Sequence, residues 1–267
     1  MRDMAVMTTR RAILRAARSD EPVQAPDELA VEQPLALAHR GMVIATLMRT
    51  PGHDLELAAG WLVAESGAAR VEDVRELRAC REDDTDRVHV TLRDGVRAPR
   101  PRAFVTSTAC GVCSADVLDL RPLRRAAPHT PGWTVPREVV AGLPAAMRVR
   151  QRAFDRTGGV HAAALATSDG DLRAVREDVG RHNAVDKVVG RALLDGLLPA
   201  TDQLLVISGR VSFEIVQKAV AAGVAGIVAV SAPSSLAVDL AREYGLLLAG
   251  MVRDGAMNVY AGGELLA

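Results

Sequence analysis

Leu204-Leu205-Val206-Ile207-Ser208-Gly209-Arg210-Val211-Ser212-Phe213-Glu214-Ile215-Val216-Gln217-Lys218-Ala219-Val220-Ala221-Ala222 sets an unbroken apolar run directly before a helical pattern. Four consecutive large apolar residues bounded by turn formers read as a strand covered on both faces. Ser212 stands where a helix N-cap belongs, and the spacing predicts a helix over Phe213 to Ala222. The alternation continues downstream. Ile227 to Val230 is a second apolar strand, Ser234 or Ser235 caps a helix running to Tyr244, and Leu246-Leu247-Leu248-Ala249 is a third strand. Strand, helix, strand, helix, strand with short connections demands parallel strands joined by right-handed crossovers. The expected class is α/β, α+β over the whole chain, with a mostly parallel sheet in this part.

Upstream of that core the texture changes. Residues 139–154 carry a helical pattern that Gly158-Gly159 stops, and Val160 to Leu165 followed by Ser168-Asp169-Gly170-Asp171 reads as a hairpin. Between residues 30 and 105 short strands dominate: Leu35-Ala36-Leu37, Met42 to Met48, and Val88 to Leu92. One helix is embedded there, opened by Thr50-Pro51-Gly52-His53-Asp54 and carrying Leu55, Leu57, Ala58, Trp61, Leu62 and Glu65. The organisation expected is a flexible basic N-terminus over 1–29, a strand-rich module over 30–135, and an α/β module over 136–267.

Composition excludes several classes. The 267 residues are 49% hydrophobic, ample for a buried core, and 33 basic residues balance 33 acidic ones. No global field draws in nucleic acid or an anionic membrane, so an anionic ligand needs a local site. Three cysteines and no long apolar run argue against a disulfide scaffold or a membrane anchor, and the early arginines lack the apolar core of a secretory signal. A cytoplasmic protein is expected.

Ligands of open α/β sheets collect at the carboxyl ends of the strands, beside free helix N–H groups. Three connections fall there: Ser208-Gly209-Arg210, Ser231-Ala232-Pro233-Ser234-Ser235, and Met251-Val252-Arg253-Asp254-Gly255-Ala256. Small residues, hydroxyls and two arginines suit a phosphorylated ligand. Neither a P-loop nor a dinucleotide glycine fingerprint is present. The run Arg176 to Lys187 is dense in polar groups at a helix start, and on composition it reads as a cap from Asp178 or Asn183 with ordinary surface charges. His161 and His182 read as structural.

Cys110-Gly111-Val112-Cys113 puts two thiols two residues apart, between proline-bearing segments that make the loop a mobile connection. Such a pair carries a metal, a disulfide or a transferable sulfur atom. A zinc site needs two further ligands, but Cys80 is alone and His129 lacks a partner at finger-like spacing. A zinc deaminase puts His-x-Glu before the pair, whereas Val160-His161-Ala162-Ala163 follows it without the glutamate. No metal site is expected. A dithiol oxidoreductase stays as an alternative.

The cysteine pair, Gly158-Gly159-Val160-His161-Ala162-Ala163-Ala164, Arg176 to Lys187, and Ser208 to Lys218 together resemble the formate dehydrogenase accessory sulfurtransferases, the FdhD family, in order from about residue 30 to 260. The resemblance implies a cytidine-deaminase-like α/β module and a homodimer. It implies a sulfur carrier that takes persulfide sulfur from a cysteine desulfurase. The acceptor is then the molybdenum cofactor, bis(molybdopterin guanine dinucleotide), before that cofactor enters formate dehydrogenase. Cys110 matches the family's persulfide carrier and Cys113 its second cysteine; the cofactor-binding stretch falls on Met251, Val252, Arg253, Asp254, Gly255 and Ala256. Members often carry an aromatic residue where Met251 stands and a basic one at Ala256, and Ser114 replaces a common glycine. A cofactor chaperone without sulfur chemistry is the third reading.

Overall fold

The computed structural model describes residues 7–18, 21–82, 85–99 and 131–267. It begins with an antiparallel ribbon of β1 (Thr8–Arg15) and β2 (Val23–Ala30), paired from Thr8 opposite Ala30 to Arg15 opposite Val23. Within the stretch expected as a flexible basic N-terminus, residues 1–29, the described residues thus include this paired ribbon. Neither strand alternates cleanly in its sequence, because the ribbon lies on no sheet and Leu14, Val23 and Leu29 remain exposed. Its base is tied down where Glu28 accepts from Thr8 and pairs with Arg156.

A four-stranded sheet follows, built from β3 (Gln33–His39), β4 (Met42–Arg49), β5 (Val74–Glu82) and β6 (Thr85–Leu92) in the order β4-β3-β6-β5. Only β3 and β6 run parallel. Helix α1 (Asp54–Ser66) packs on this sheet through Leu57, Ala58, Trp61 and Leu62. Its opposite side, Ala59 and Val63, enters the core of the next sheet. A helix buried on two sides is apolar nearly all round, which is why α1 shows so little polar face.

The second sheet is introduced by α2 (Arg137–Arg148) and α3 (Arg152–Thr157), where one continuous helix was expected. The chain breaks at Gln151 so that the first amides of α3, those of Ala153 and Phe154, donate to the Glu177 carboxylate at 2.9 and 2.8 Å. Next come β7 (His161–Thr167), β8 (Leu172–Asp178), α4 (Arg181–Leu194), β9 (Gln203–Ile207), α5 (Phe213–Ala222), β10 (Gly226–Ala229), α6 (Ser235–Glu243), β11 (Leu247–Arg253) and β12 (Ala256–Ala261). Strand order is β12-β11-β10-β9-β7-β8. The mixed α/β class stands, and β9, β10 and β11 are parallel as expected. The sheet is nevertheless not mostly parallel, since β7–β8, β7–β9 and β11–β12 are antiparallel. Tight turns after β7 and β11 reverse the chain at both flanks.

Helices α4, α5 and α6 cover one face of this sheet, with α1 behind α4, and α2 covers the other. The α1–α4 contact is unusually close. A Cβ at Gly60 would stand 1.8 Å from the Asp186 carbonyl oxygen, and one at Gly190 would stand 1.8 Å from that of Glu56. Glycine at both positions lets the backbones touch. Polar stitches flank the crossing: Arg176 donates to both Glu56 oxygens at 2.5 and 2.8 Å, and Lys218 to both Asp186 oxygens at 2.7 and 2.9 Å.

The polar cluster at the start of α4 is not a solvated cap. Lys187 is fully buried and pairs with the fully buried Asp178 at 2.7 Å, donating as well to the carbonyls of Thr50 at 2.8 Å and Glu177 at 3.2 Å. Asp178 also accepts from the amides of Thr50 and Gly180 and from Asn183. Three donors and a cation offset the cost of sequestering that carboxylate. The loop after β4 is thereby pinned to the end of β8.

Candidate functional site

The carboxyl ends of β9 and β10 and the far half of β11 are stitched together by backbone bonds. Val211 donates to Ala232 at 3.2 Å, Ser234 to Val211 at 3.0 Å, and Met251 to Ser231 at 3.2 Å. The three stretches picked out in the sequence therefore lie edge to edge. Ser234 caps α6, accepting from the Ala237 amide at 3.3 Å, whereas Ser212 begins α5 without a side-chain cap bond. The Ser212 hydroxyl lies instead 3.3 Å from Nε2 of His182, which is also 3.0 Å from Glu214.

Residues from β7 and α4 converge on the first stretch. Ser208 Oγ accepts the Ala162 amide at 2.9 Å and sits 3.4 Å from His161 Nδ1. Gly209 forms the floor between two side chains: a Cβ there would lie 3.3 Å from Arg181 Cδ and 3.4 Å from His161 Nδ1. Arg181 opens α4, and its Nε is buried with no hydrogen-bond partner. Arg210 is exposed and makes no ion pair among the described residues. Burial and the Arg210 charge both push the Arg181 guanidinium down, against a smaller opposing pull from Glu214. Burial, then Arg181, His182 and Arg210, push the His161 imidazole down too, with Asp178 opposing. A neutral imidazole beside two under-compensated guanidiniums is a setting that favours an anion.

Beside this cluster lies a cavity of about 500 Å³. His161 and Ser208 stand on its wall, with Met147, Phe154, Val160 and Val230 supplying apolar surface. A second hollow of about 640 Å³ opens between the β1–β2 ribbon and the four-stranded sheet, lined in part by Arg11, Glu32 and Asp86. The Asp86 carboxylate there is already bonded to the buried Arg49 at 2.7 Å.

The stretch from Met251 to Ala256 is a hairpin, not the open strand-end connection expected. β11 continues to Arg253 and returns through Asp254 and Gly255, whose φ values of 51° and 78° are those of a two-residue primed turn. Met251 has φ 55° at a register shift, which turns Val252 fully into the core while Arg253, Asp254, Gly255 and Ala256 stay exposed. No helix N-terminus follows this turn, so its contribution to an anion is the Arg253 guanidinium and turn backbone.

A model of the FdhD/NarQ family matches residues 30–267. The chain belongs to this family. Among its FdhD/NarQ relatives, the sulfur carrier protein FdhD of Streptomyces coelicolor is 47% identical over 275 residues, covering 99% of this chain and 97% of that one. The protein of the same name from Corynebacterium efficiens is 47% identical over 250 residues, covering 89% and 90%. A crystal structure of a formate dehydrogenase accessory protein from Desulfotalea psychrophila superposes with a TM-score of 0.80 at 25% identity, over 98% of this chain and 100% of that one.

Cys110 and Cys113 lie outside the described residues. Ser208, Gly209 and Arg210 stand out in the sequence, whereas His161 reads there as structural and Arg181 as one of a run of ordinary surface charges. Their convergence depends on β7 lying beside β9 with α4 returning over both, a pairing that spacing does not carry. The one local signal was a glycine two residues past the end of an apolar strand, where close approach demands it. No helix among the described residues is long and apolar enough to cross a membrane.

Proposed function

We propose that this protein is a sulfur carrier for formate dehydrogenase maturation. Cys110 holds the sulfur as a persulfide, a cysteine desulfurase supplies it, and the acceptor is the molybdenum of bis(molybdopterin guanine dinucleotide) before that cofactor enters formate dehydrogenase. The observation that carries this reading is the near-full-length identity to proteins named sulfur carriers in a chain with a Cys110-x-x-Cys113 pair. The cationic crevice at the end of β9 supports it, because the acceptor is a multiply phosphorylated molecule.

The first step is thiol–disulfide chemistry. The Cys110 thiolate attacks the terminal sulfur of the donor persulfide, an S–S bond forms at Cys110, and the donor cysteine leaves as a thiolate. Cys113 assists receipt or release. The Met251 to Ala256 hairpin contacts the cofactor, and the protein acts as a cytoplasmic homodimer.

Replacing Cys110 with alanine and measuring formate dehydrogenase activity in cells tests the reading. Activity should be lost, and incubation of the unaltered protein with desulfurase and cysteine should add sulfur mass to the peptide carrying Cys110. Full activity in the Cys110→Ala strain would sink the proposal.

A further inference from the structure

We propose that Arg181 and Arg210 form a two-pronged clamp for a diphosphate group, with Gly209 as its floor. The inference rests on the reading of this crevice as the seat of a phosphorylated acceptor, and it assigns the phosphate contacts to the β9–α4 junction as well as to the exposed hairpin turn of β11–β12.

Four observations converge. The two guanidiniums are close enough that the charge on Arg210 lowers the proton affinity of Arg181. Buried or exposed, arginines set against each other normally share a carboxylate, yet neither makes an ion pair among the described residues, and the nearby Glu214 is 3.0 Å from His182. The buried Nε of Arg181 has no acceptor, so one of its strongest donors is unused in the free protein. Finally, a Cβ at Gly209 would press on both Arg181 and His161, so glycine is what lets the two side chains close on this strand end beside a bare backbone.

A diphosphate fits this set better than a carboxylate does. It carries enough charge to compensate two guanidiniums and enough oxygens to accept from a fork on each side. His161, neutral and adjacent, contributes a ring N–H without adding charge, and the cavity beyond it accommodates the group to which the diphosphate is attached.

The test is calorimetric titration of the full chain with inorganic pyrophosphate, with no sulfur donor present and with sulfate as the comparison anion. Saturable binding of pyrophosphate, tighter than that of sulfate and weakened about tenfold by Arg210→Gln, is expected. Arg210 is exposed, so its replacement leaves folding intact; Arg181→Gln should weaken binding at least as much where the variant melts like the parent. A second readout is the His161 ring resonance. Arg181, His182, Arg210 and Asp178 surround that imidazole, and a bound anion should move its titration to higher pH in the parent, and in Arg210→Gln only at about tenfold higher pyrophosphate. Absence of saturable binding, or unchanged affinity in Arg210→Gln, overturns the clamp and leaves the carrier role of Cys110 standing. Conversely, loss of the carrier reading through an active Cys110→Ala strain leaves these binding results unaltered.

Discussion

Replacing Gly190 by alanine sets two opposed effects against each other. In an exposed helix the change stabilises by about 1 kcal/mol, because alanine loses less backbone entropy on folding. At position 190 the new methyl would stand 1.8 Å from the Glu56 oxygen, 2.7 Å from its carbonyl carbon and 2.6 Å from the Gly60 nitrogen. All three are backbone atoms of α1, so no side-chain rotation relieves the clash. Restoring ordinary contact requires α1 and α4 to part by about 1.5 Å, which slackens Ala59 and Val63 against the α4 face. Overpacking of this kind costs about 3 kcal/mol at its upper range, leaving a net loss of about 2 kcal/mol after the helical gain. For a chain of this length that is a fall of roughly 4–8 °C in Tm. Gly142 of α2 is the matched control, since it is exposed and a Cβ there meets nothing within 4 Å. Gly142→Ala should raise Tm slightly in the same thermal melt followed by circular dichroism. If Gly190→Ala melts at or above the parent, the close crossing of α1 and α4 is wrong.

Two further perturbations probe the charges around that crossing. Lys187→Met strands the buried Asp178 and should cost about 3–5 kcal/mol in urea denaturation, with the double variant Lys187→Met, Asp178→Asn less destabilised than the two single effects summed. Burial pushes the Glu56 carboxyl up, but hydrogen bonds and charge from Arg176 and His53 outweigh it and hold it at about 2, against an ordinary 4.5. A depressed carboxyl contributes stability that is whole above pH 4.5 and drains away as pH falls toward 2. Arg176→Met should therefore flatten the acid limb of the stability profile in that window, and an unchanged limb would show that Arg176 does not hold Glu56 ionised.

Legibility in the sequence followed burial. The strands β9, β10 and β11 were readable because they are covered on both faces and therefore uniformly apolar. β5 was not, because Arg75, Glu76 and Arg78 on its exposed side mask the half-buried Val74 and Leu77. The β7–β8 hairpin was readable from the turn after β7, whereas the antiparallel pairing of β7 with β9 and the return of β12 along β11 were not. At the start of α4, composition favoured surface charges because the Lys187–Asp178 pair is capped by Thr50, far away along the chain. The candidate site divides the same way. Ser208, Gly209 and Arg210 are contiguous and could be picked out, whereas His161 and Arg181 join them only through the packing of β7, β9 and α4.

The β1–β2 ribbon has a colloidal consequence. Among the described residues both of its outer edges lack a neighbouring strand, which makes it a template for strand addition between molecules. Pro26 withholds an N–H from one strand, and Arg10, Arg11 and Arg15 would confront their own copies if two ribbons met along the other. A chain with zero formal net charge has no overall repulsion to keep its molecules apart. The like charges of those three arginines therefore oppose such pairing locally, beside the bonds that Arg11 makes to Thr9 and to the Arg10 carbonyl.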